Sequence, residues 1–95
     1  MTAYIVVHMD YQDPALIQEY QRLASPTLGQ YGVRVLGKTL DASPLEGTTP
    51  GRLTVLLAAE SASEAERWFN SPEYQRAADA RRPVSHFVAT VVPAS

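Results

Sequence analysis

The chain of 95 residues contains no cysteine, which excludes disulfides, thiolate chemistry and cysteine-held metals. Lysine and arginine total eight against ten aspartates and glutamates, for a formal net charge of −2. The basic residues form no run beyond the pair Arg81-Arg82, so the basic patch of a nucleic-acid binder is missing. No apolar stretch approaches the roughly 20 residues that a membrane-crossing helix needs. The opening Met1-Thr2-Ala3-Tyr4 has neither the basic nor the long apolar region of a secretory leader, and a soluble cytoplasmic protein is expected. There is no Gly-rich phosphate loop, no dinucleotide fingerprint, and no Gly-x-Ser-x-Gly elbow around any serine. What remains is an ordinary globular composition, 45% hydrophobic and 19% charged, in a length that supports one core and one domain, residues 1–95.

Within that length the hydrophobic pattern changes period several times. Ala3–Asp10 is rich in β-branched and aromatic residues and reads as a central strand, with Ile5, Val7 and Met9 on one face and Tyr4, Val6 and His8 on the other. Asp13-Pro14 is a helix start: Asp caps free N–H groups and Pro is tolerated in the first turn. Leu16, Ile17, Tyr20, Leu23, Ala24, Leu28 and Tyr31 then recur at helical spacing. Pro26 either kinks this helix or restarts it after Ser25, and Gly32 stops it. Val33–Lys38 reads as a second strand, Asp41–Gly51 as a loop with turn signals at Ser43-Pro44, Gly47 and Pro50-Gly51, and Arg52–Glu60 as a third strand.

Ser63-Glu64-Ala65-Glu66 has the pattern of a capping box opening the next helix, whose buried stripe is Ala65, Trp68 and Phe69. Asn70-Ser71-Pro72-Glu73 breaks that helix and starts another turn, with Ser71 as cap. Tyr74, Ala77, Ala78 and Arg81 continue it to Pro83. The final strand runs to Val92, with Phe87, Ala89 and Val91 alternating against His86, Val88 and Thr90. The order β-α-β-β-α-β is that of a ferredoxin-like α+β fold with a four-stranded antiparallel sheet in the order 4-1-3-2. Helices on one face leave the other to be covered, and Val6, Leu36, Leu56 and Val88 are too apolar to leave wet, so a homodimer through the sheet face is expected.

Several of these stretches together resemble one family. They are the opening strand followed by Asp13-Pro14, the Tyr31-Gly32 helix end, Leu45-Glu46-Gly47, Pro50-Gly51-Arg52 and Ser71-Pro72-Glu73-Tyr74-Gln75. The chain resembles, over nearly its whole length, the DUF1330 family of the dimeric α+β barrel superfamily. Val33 stands where the family usually has a second glycine. The resemblance implies two sheets packed face to face about a two-fold axis, with a pocket in each subunit. Similar domains include cyclases, isomerases, cofactor-free monooxygenases, haem enzymes and ligand-binding regulatory domains.

Strand parity places the candidate chemistry. His8 lies opposite Ile5, Val7 and Met9, so it points into the barrel if those three meet the helices, and an imidazole there can act as general acid or base. His86 falls on the same side in the neighbouring strand. Arg52 and Arg34 can stabilise developing negative charge. Expected catalytic residues are therefore His8, His86 and Arg52, and expected substrate-binding residues are Tyr4, Arg34, Glu46, Thr54 and Trp68. Two histidines with Asp10 or Glu46 have donors for a metal but no metal-ligand spacing, and the many polar groups on that face argue against a haem; neither metal nor cofactor is expected. The resulting expectation is a cofactor-independent biosynthetic enzyme performing a cyclisation, isomerisation or dehydration by proton transfer on a small carbonyl-bearing or polyketide-like metabolite. A non-catalytic ligand-binding or assembly domain and a cofactor-free monooxygenase are the alternatives.

Overall fold

Asp13, Ser61 and Ser71 open the three α-helices with their side chains, each accepting a backbone N–H two or three residues on. In the computed structural model, which describes residues 1–49 and 51–95, the elements are β1 (Ala3–Tyr11), α1 (Pro14–Gln30), β2 (Arg34–Thr39), β3 (Leu53–Ala59), α2 (Ala62–Phe69), α3 (Pro72–Arg81) and β4 (Ser85–Pro93). A 3-10 turn, Arg82–Val84, joins α3 to β4. Pro50, the first residue of the Pro-Gly-Arg stretch, lies outside the described residues.

All four strands are antiparallel in the order β2-β3-β1-β4, the expected 4-1-3-2 read from the other edge. The Cα envelope measures 35 × 34 × 16 Å, a slab with room for one helical layer on one sheet. The helices cover the face of Ile5, Val7 and Met9, which align with Leu57, Val55 and Leu53 on one side and Val91, Ala89 and Phe87 on the other. Trp68, Tyr74, Ala77 and Ala78 close the core from the helical side. The other face, carrying Val6, His8, Leu56 and Val88, is open.

Four local features differ from the sequence expectation or resolve it. The α2 cap is Ser61, whose Oγ accepts from the Glu64 N–H at 3.1 Å. The cap-to-Glu spacing is therefore Ser61-Ala62-Ser63-Glu64, two residues earlier than Ser63-Glu64-Ala65-Glu66. Pro26 neither breaks nor restarts α1, which runs unbroken for 17 residues. Both Pro26 and Arg22, whose carbonyl loses its helical partner, are exposed, so water replaces the missing bond. At the end of α1, Gly32 takes φ 69° and the Val33 N–H reaches the Leu28 carbonyl at 2.8 Å. That is a Schellman closure, and it drives Val33 into the core as its apolar clasp. Finally, β2 carries a bulge between Val35 and Gly37. Leu36 is left without a partner on β3, and every residue beyond it changes face.

Gly51 is needed at the mouth of β3. A Cβ there would stand 3.0 Å from both the carbonyl carbon and the oxygen of Met9, a backbone contact that no side-chain rotation relieves. Gly51→Ala is expected to lower stability by about 1–3 kcal/mol, read from the urea midpoint. An unchanged midpoint would mean that this loop yields freely.

Candidate functional site

The helix layer does not seal against the sheet everywhere. Between α1 and strands β1, β2 and β3 lies a cavity of about 120 Å³, walled mainly by Val7, Met9, Leu53 and Leu57, with Tyr20 and Lys38 among its polar lining. A second cavity of about 120 Å³ lies between α2 and strands β1 and β4, against Ile5, Ala89 and Val91. Trp68 borders both. Its ring is 3% exposed and leans on Tyr74 with centroids 4.5 Å apart. Its Nε1–H donates to Thr27 Oγ1 at 2.9 Å, and the Thr27 hydroxyl donates in turn to the Ala24 carbonyl at 2.6 Å. This chain of bonds fixes the indole as a partition between two apolar spaces.

Lys38 is the single lysine of the chain, and the bulge decides where it sits. Uninterrupted alternation would put it on the open face with Arg34. The register instead pairs Arg34 with Ala58 on the open face and Lys38 with Val55 on the helix side. Lys38 is thereby the one charged residue lining the α1 cavity among the described residues.

Behind Tyr20 is a buried polar group. The hydroxyls of Tyr20 and Tyr74 lie 3.0 Å apart, and Arg81 Nη2 donates to the Tyr74 oxygen at 3.4 Å. Arg81 is 4% exposed, and its guanidinium carbon sits 3.5 Å from the centre of the Phe87 ring and 5.6 Å from that of Tyr20. The three ion pairs among the described residues are Glu19–Arg22, Glu64–Arg67 and Asp79–Arg82; none involves Arg81, and its Nε has no partner. Burial first, and the Tyr74 hydroxyl second, push the Tyr20 phenol far above its ordinary range, so it is a proton donor rather than a base. From the sequence Arg81 continues the helix of Tyr74, Ala77 and Ala78, with no role for its charge. The usable signal was its place seven residues after Tyr74, on the buried stripe with Ala77 and Ala78, where a cation is out of character.

The residues expected from the sequence divide between the two faces. Tyr4, His8, Arg34, Thr54 and His86 all lie on the open face by register. His8 Nδ1 is 3.4 Å from Thr54 Oγ1. Across β4, His8 faces Val88, while His86 faces Asp10, so the two imidazoles are diagonal neighbours. His86 and Asp10 border a shallow hollow of about 350 Å³ with Tyr11, Gln12, Pro83 and Ser85. Arg52, just before β3, lies over the Tyr11 ring at 5.1 Å. Glu46 is exposed in the loop and makes no ion pair with it. Trp68 is on the opposite side of the sheet from His8, so the two cannot line one pocket of one subunit. Among the described residues no group of three His, Cys, Asp or Glu is placed to hold a metal ion, and no helix is long and apolar enough to cross a membrane.

Residues 2–95 match the model of a family described as a domain of unknown function, DUF1330. The chain belongs to the DUF1330 family. No curated protein matches its sequence. The fold of this DUF1330 protein is shared by solved structures of low identity. The RPA0582 protein of unknown function from Rhodopseudomonas palustris has a TM-score of 0.72 at 14% identity, over 99% of this chain and 83% of that one. A dimeric ferredoxin-like protein of unknown function from Bacteroides fragilis scores 0.67 at 8% identity, over 98% and 96%. SnoaB from Streptomyces nogalater, a cofactor-independent oxygenase, scores 0.68 at 14% identity, over 99% and 93%. These likenesses establish a ferredoxin-like fold.

Proposed function

We propose that this DUF1330 protein is a cofactor-independent enzyme that holds a small enolisable carbonyl compound, or a phenol, as its anion in the cavity between α1 and the sheet. The observation that carries this reading is one cation, Lys38, and one phenol donor, Tyr20, in a wall that is otherwise mostly apolar. Lys38 is itself exposed, so its charge draws an anion to the cavity, and the partly buried Tyr20 phenol is the donor to an oxyanion held there. The proton lost on ionisation passes to a solvent water at the side of the cavity bordered by Gln21 and Ser25. Its return to a different atom completes an isomerisation; in a cyclisation the enolate carbon instead attacks a second carbonyl, whose oxygen takes the proton, and in a dehydration a hydroxyl leaves with the proton as water. The same bound anion is electron-rich, and its reaction with oxygen is a second reading, favoured by the fold shared with SnoaB.

Size narrows the substrate. A cavity of about 120 Å³ is close to the roughly 150 Å³ that holds one benzene ring. A one-ring or short-chain molecule fits; a polycyclic one requires Trp68 to swing aside. The histidines of the open face then belong to a different task. His8 and Thr54 lie where a second subunit would pack, and we assign them to that contact.

The probe is 4-nitrophenol, whose ionised form is coloured. The wild-type protein should bind the phenolate, and Lys38→Met should weaken that binding by about tenfold or more, since a charged partner is lost. Equal affinity in both proteins would end this reading. Loss of turnover on the enzyme's substrate in His8→Ala or His86→Ala, with phenolate affinity intact, would move the chemistry to the open face and restore His8, His86 and Arg52 as its catalytic group.

A further inference from the structure

We propose that Arg81, Tyr74 and Tyr20 form a one-way hydrogen-bond relay whose end is a donor site for a ligand oxygen in the α1 cavity. The proposal rests on the reading of that cavity as an oxyanion site and adds the residues that orient its donor.

The direction is set from the Arg81 end. A guanidinium has donors only, so where Arg81 Nη2 meets the Tyr74 hydroxyl at 3.4 Å, Tyr74 must accept. Either hydroxyl can donate across the 3.0 Å contact between Tyr74 and Tyr20; with Arg81 engaging the Tyr74 oxygen, the relay takes the direction in which Tyr74 donates and Tyr20 accepts. The proton of Tyr20 has no place left between the two hydroxyls. The Tyr20 side chain lines the cavity, and a ligand oxygen that reaches its hydroxyl from there would receive the proton. Without Arg81 the two hydroxyls can reverse, Tyr20 donating to Tyr74, and the cavity faces a lone pair instead of a proton.

The surroundings hold Arg81 to this part. It is buried among aromatic rings, with Phe87 at 3.5 Å and Tyr20 at 5.6 Å. No ion pair among the described residues involves it, and its Nε is buried without a partner. A stability element of this kind would be expected to have a carboxylate. Ser85 Oγ, at 2.7 Å, bonds the Arg81 carbonyl rather than the guanidinium. Tyr20 is the group that would touch the ligand; Tyr74 and Arg81 are positioning residues that act through it.

The test uses the full chain, with 4-nitrophenolate as the probe and 4-nitrotoluene, which has the same ring and nitro group but a methyl in place of the phenolate oxygen, as the control. Tyr20→Phe should weaken phenolate binding roughly tenfold and leave nitrotoluene binding unchanged. Tyr74→Phe should cost much less, about threefold, because Tyr20 keeps its proton for the ligand. Arg81→Met should weaken phenolate binding as much as Tyr20→Phe does, and Arg81→Lys, which keeps charge and donor, should restore it. The double variant Arg81→Met with Tyr74→Phe should bind phenolate better than Arg81→Met alone, since the Tyr20 proton no longer has another acceptor. A purely structural role for Arg81 gives no such recovery. If Arg81→Met does not fold, the contrast between Tyr20→Phe and Tyr74→Phe decides, and equal losses overturn the relay. Phenolate binding that depends on Lys38 but not on Tyr20 overturns the relay and leaves the oxyanion site standing. Absence of phenolate binding to the wild type overturns both.

Discussion

Trp68→Ala should destabilise this protein by about 3–5 kcal/mol. The indole is 3% exposed, so its removal leaves a hole between two cavities that already exist on either side of it. It also takes away the face on which Tyr74 leans, 4.5 Å between centroids, and the N–H that Thr27 Oγ1 accepts. Collapse cannot repair this, because β1 and β3 on one side and Tyr74 on the other are themselves fixed. For a domain whose total stability is about 5–15 kcal/mol, and whose melting point moves by roughly 4–8 °C per kcal/mol, the loss should be plain in a thermal scan. Trp68→Phe separates the parts. It keeps most of the apolar volume and loses the bond to Thr27, which still donates to Ala24, so about 1–2 kcal/mol is expected. Where Trp68→Ala remains folded, it should bind two-ring phenolates such as 2-naphtholate, which the wild type should exclude. A loss below about 1 kcal/mol for Trp68→Ala would show that the indole is not a fixed partition.

This chain is expected to dimerise through its open face, and Leu56→Lys should return it to monomers. Leu56 lies on β3, one of the two central strands, and pairs with Val6 on the open face. Leu56, Val88 and Val92 are 39%, 43% and 44% exposed in the single chain, an apolar area that a protein has reason to cover. A standard interface takes roughly 800 Å² from each partner, about a seventh of the 5865 Å² that this chain exposes, and one face of a two-layer slab supplies that. In the monomer the lysine reaches water and should cost little. At the centre of a dimer it has no partner and would be buried as a charge, so dissociation should strengthen by about a hundredfold or more. Sedimentation equilibrium of wild type and variant across a concentration series reads this directly. A wild type that is monomeric throughout, or a variant as dimeric as the wild type, would remove the open face from the interface. His8→Ala should act in the same assay, weakly, through its place beside Thr54.

Much of this molecule was legible before folding was considered. Asp13-Pro14, Gly32 and Ser71-Pro72 acted as stops and starts because their chemistry is local. An Asp or Ser oxygen caps the N–H groups next to it, and a glycine at positive φ reverses a chain whatever surrounds it. Alternation in β1 and β4 placed Ile5, Val7 and Met9 inward and His8 and His86 outward, because the side-chain period of a strand is two and neither strand is interrupted. Misplacing the α2 cap by two residues was a failure of the same local reasoning: Ser61 and Ser63 both precede a helical stripe with a glutamate three residues on, and only the backbone turn chooses between them.

The candidate site was the least legible part, and the reasons are long-range. The bulge at Leu36 carries Lys38 to the helix side of the sheet; Gly37 is its one local sign, and a strand glycine does not by itself fix where the register shifts. Tyr20 and Tyr74 are 54 positions apart, and each alone reads as an amphipathic core residue. Arg81 in a linear sequence looks like any helix-end cation. What the sequence by itself determined was the order of elements, their caps and the two faces of the sheet, all of which follow from chemistry within a few residues. What only the tertiary structure decided was which polar groups meet behind α1. Whether a cation is solvated or buried against Phe87 depends on what the rest of the chain packs around it, and that is a property of the assembled layers rather than of any segment.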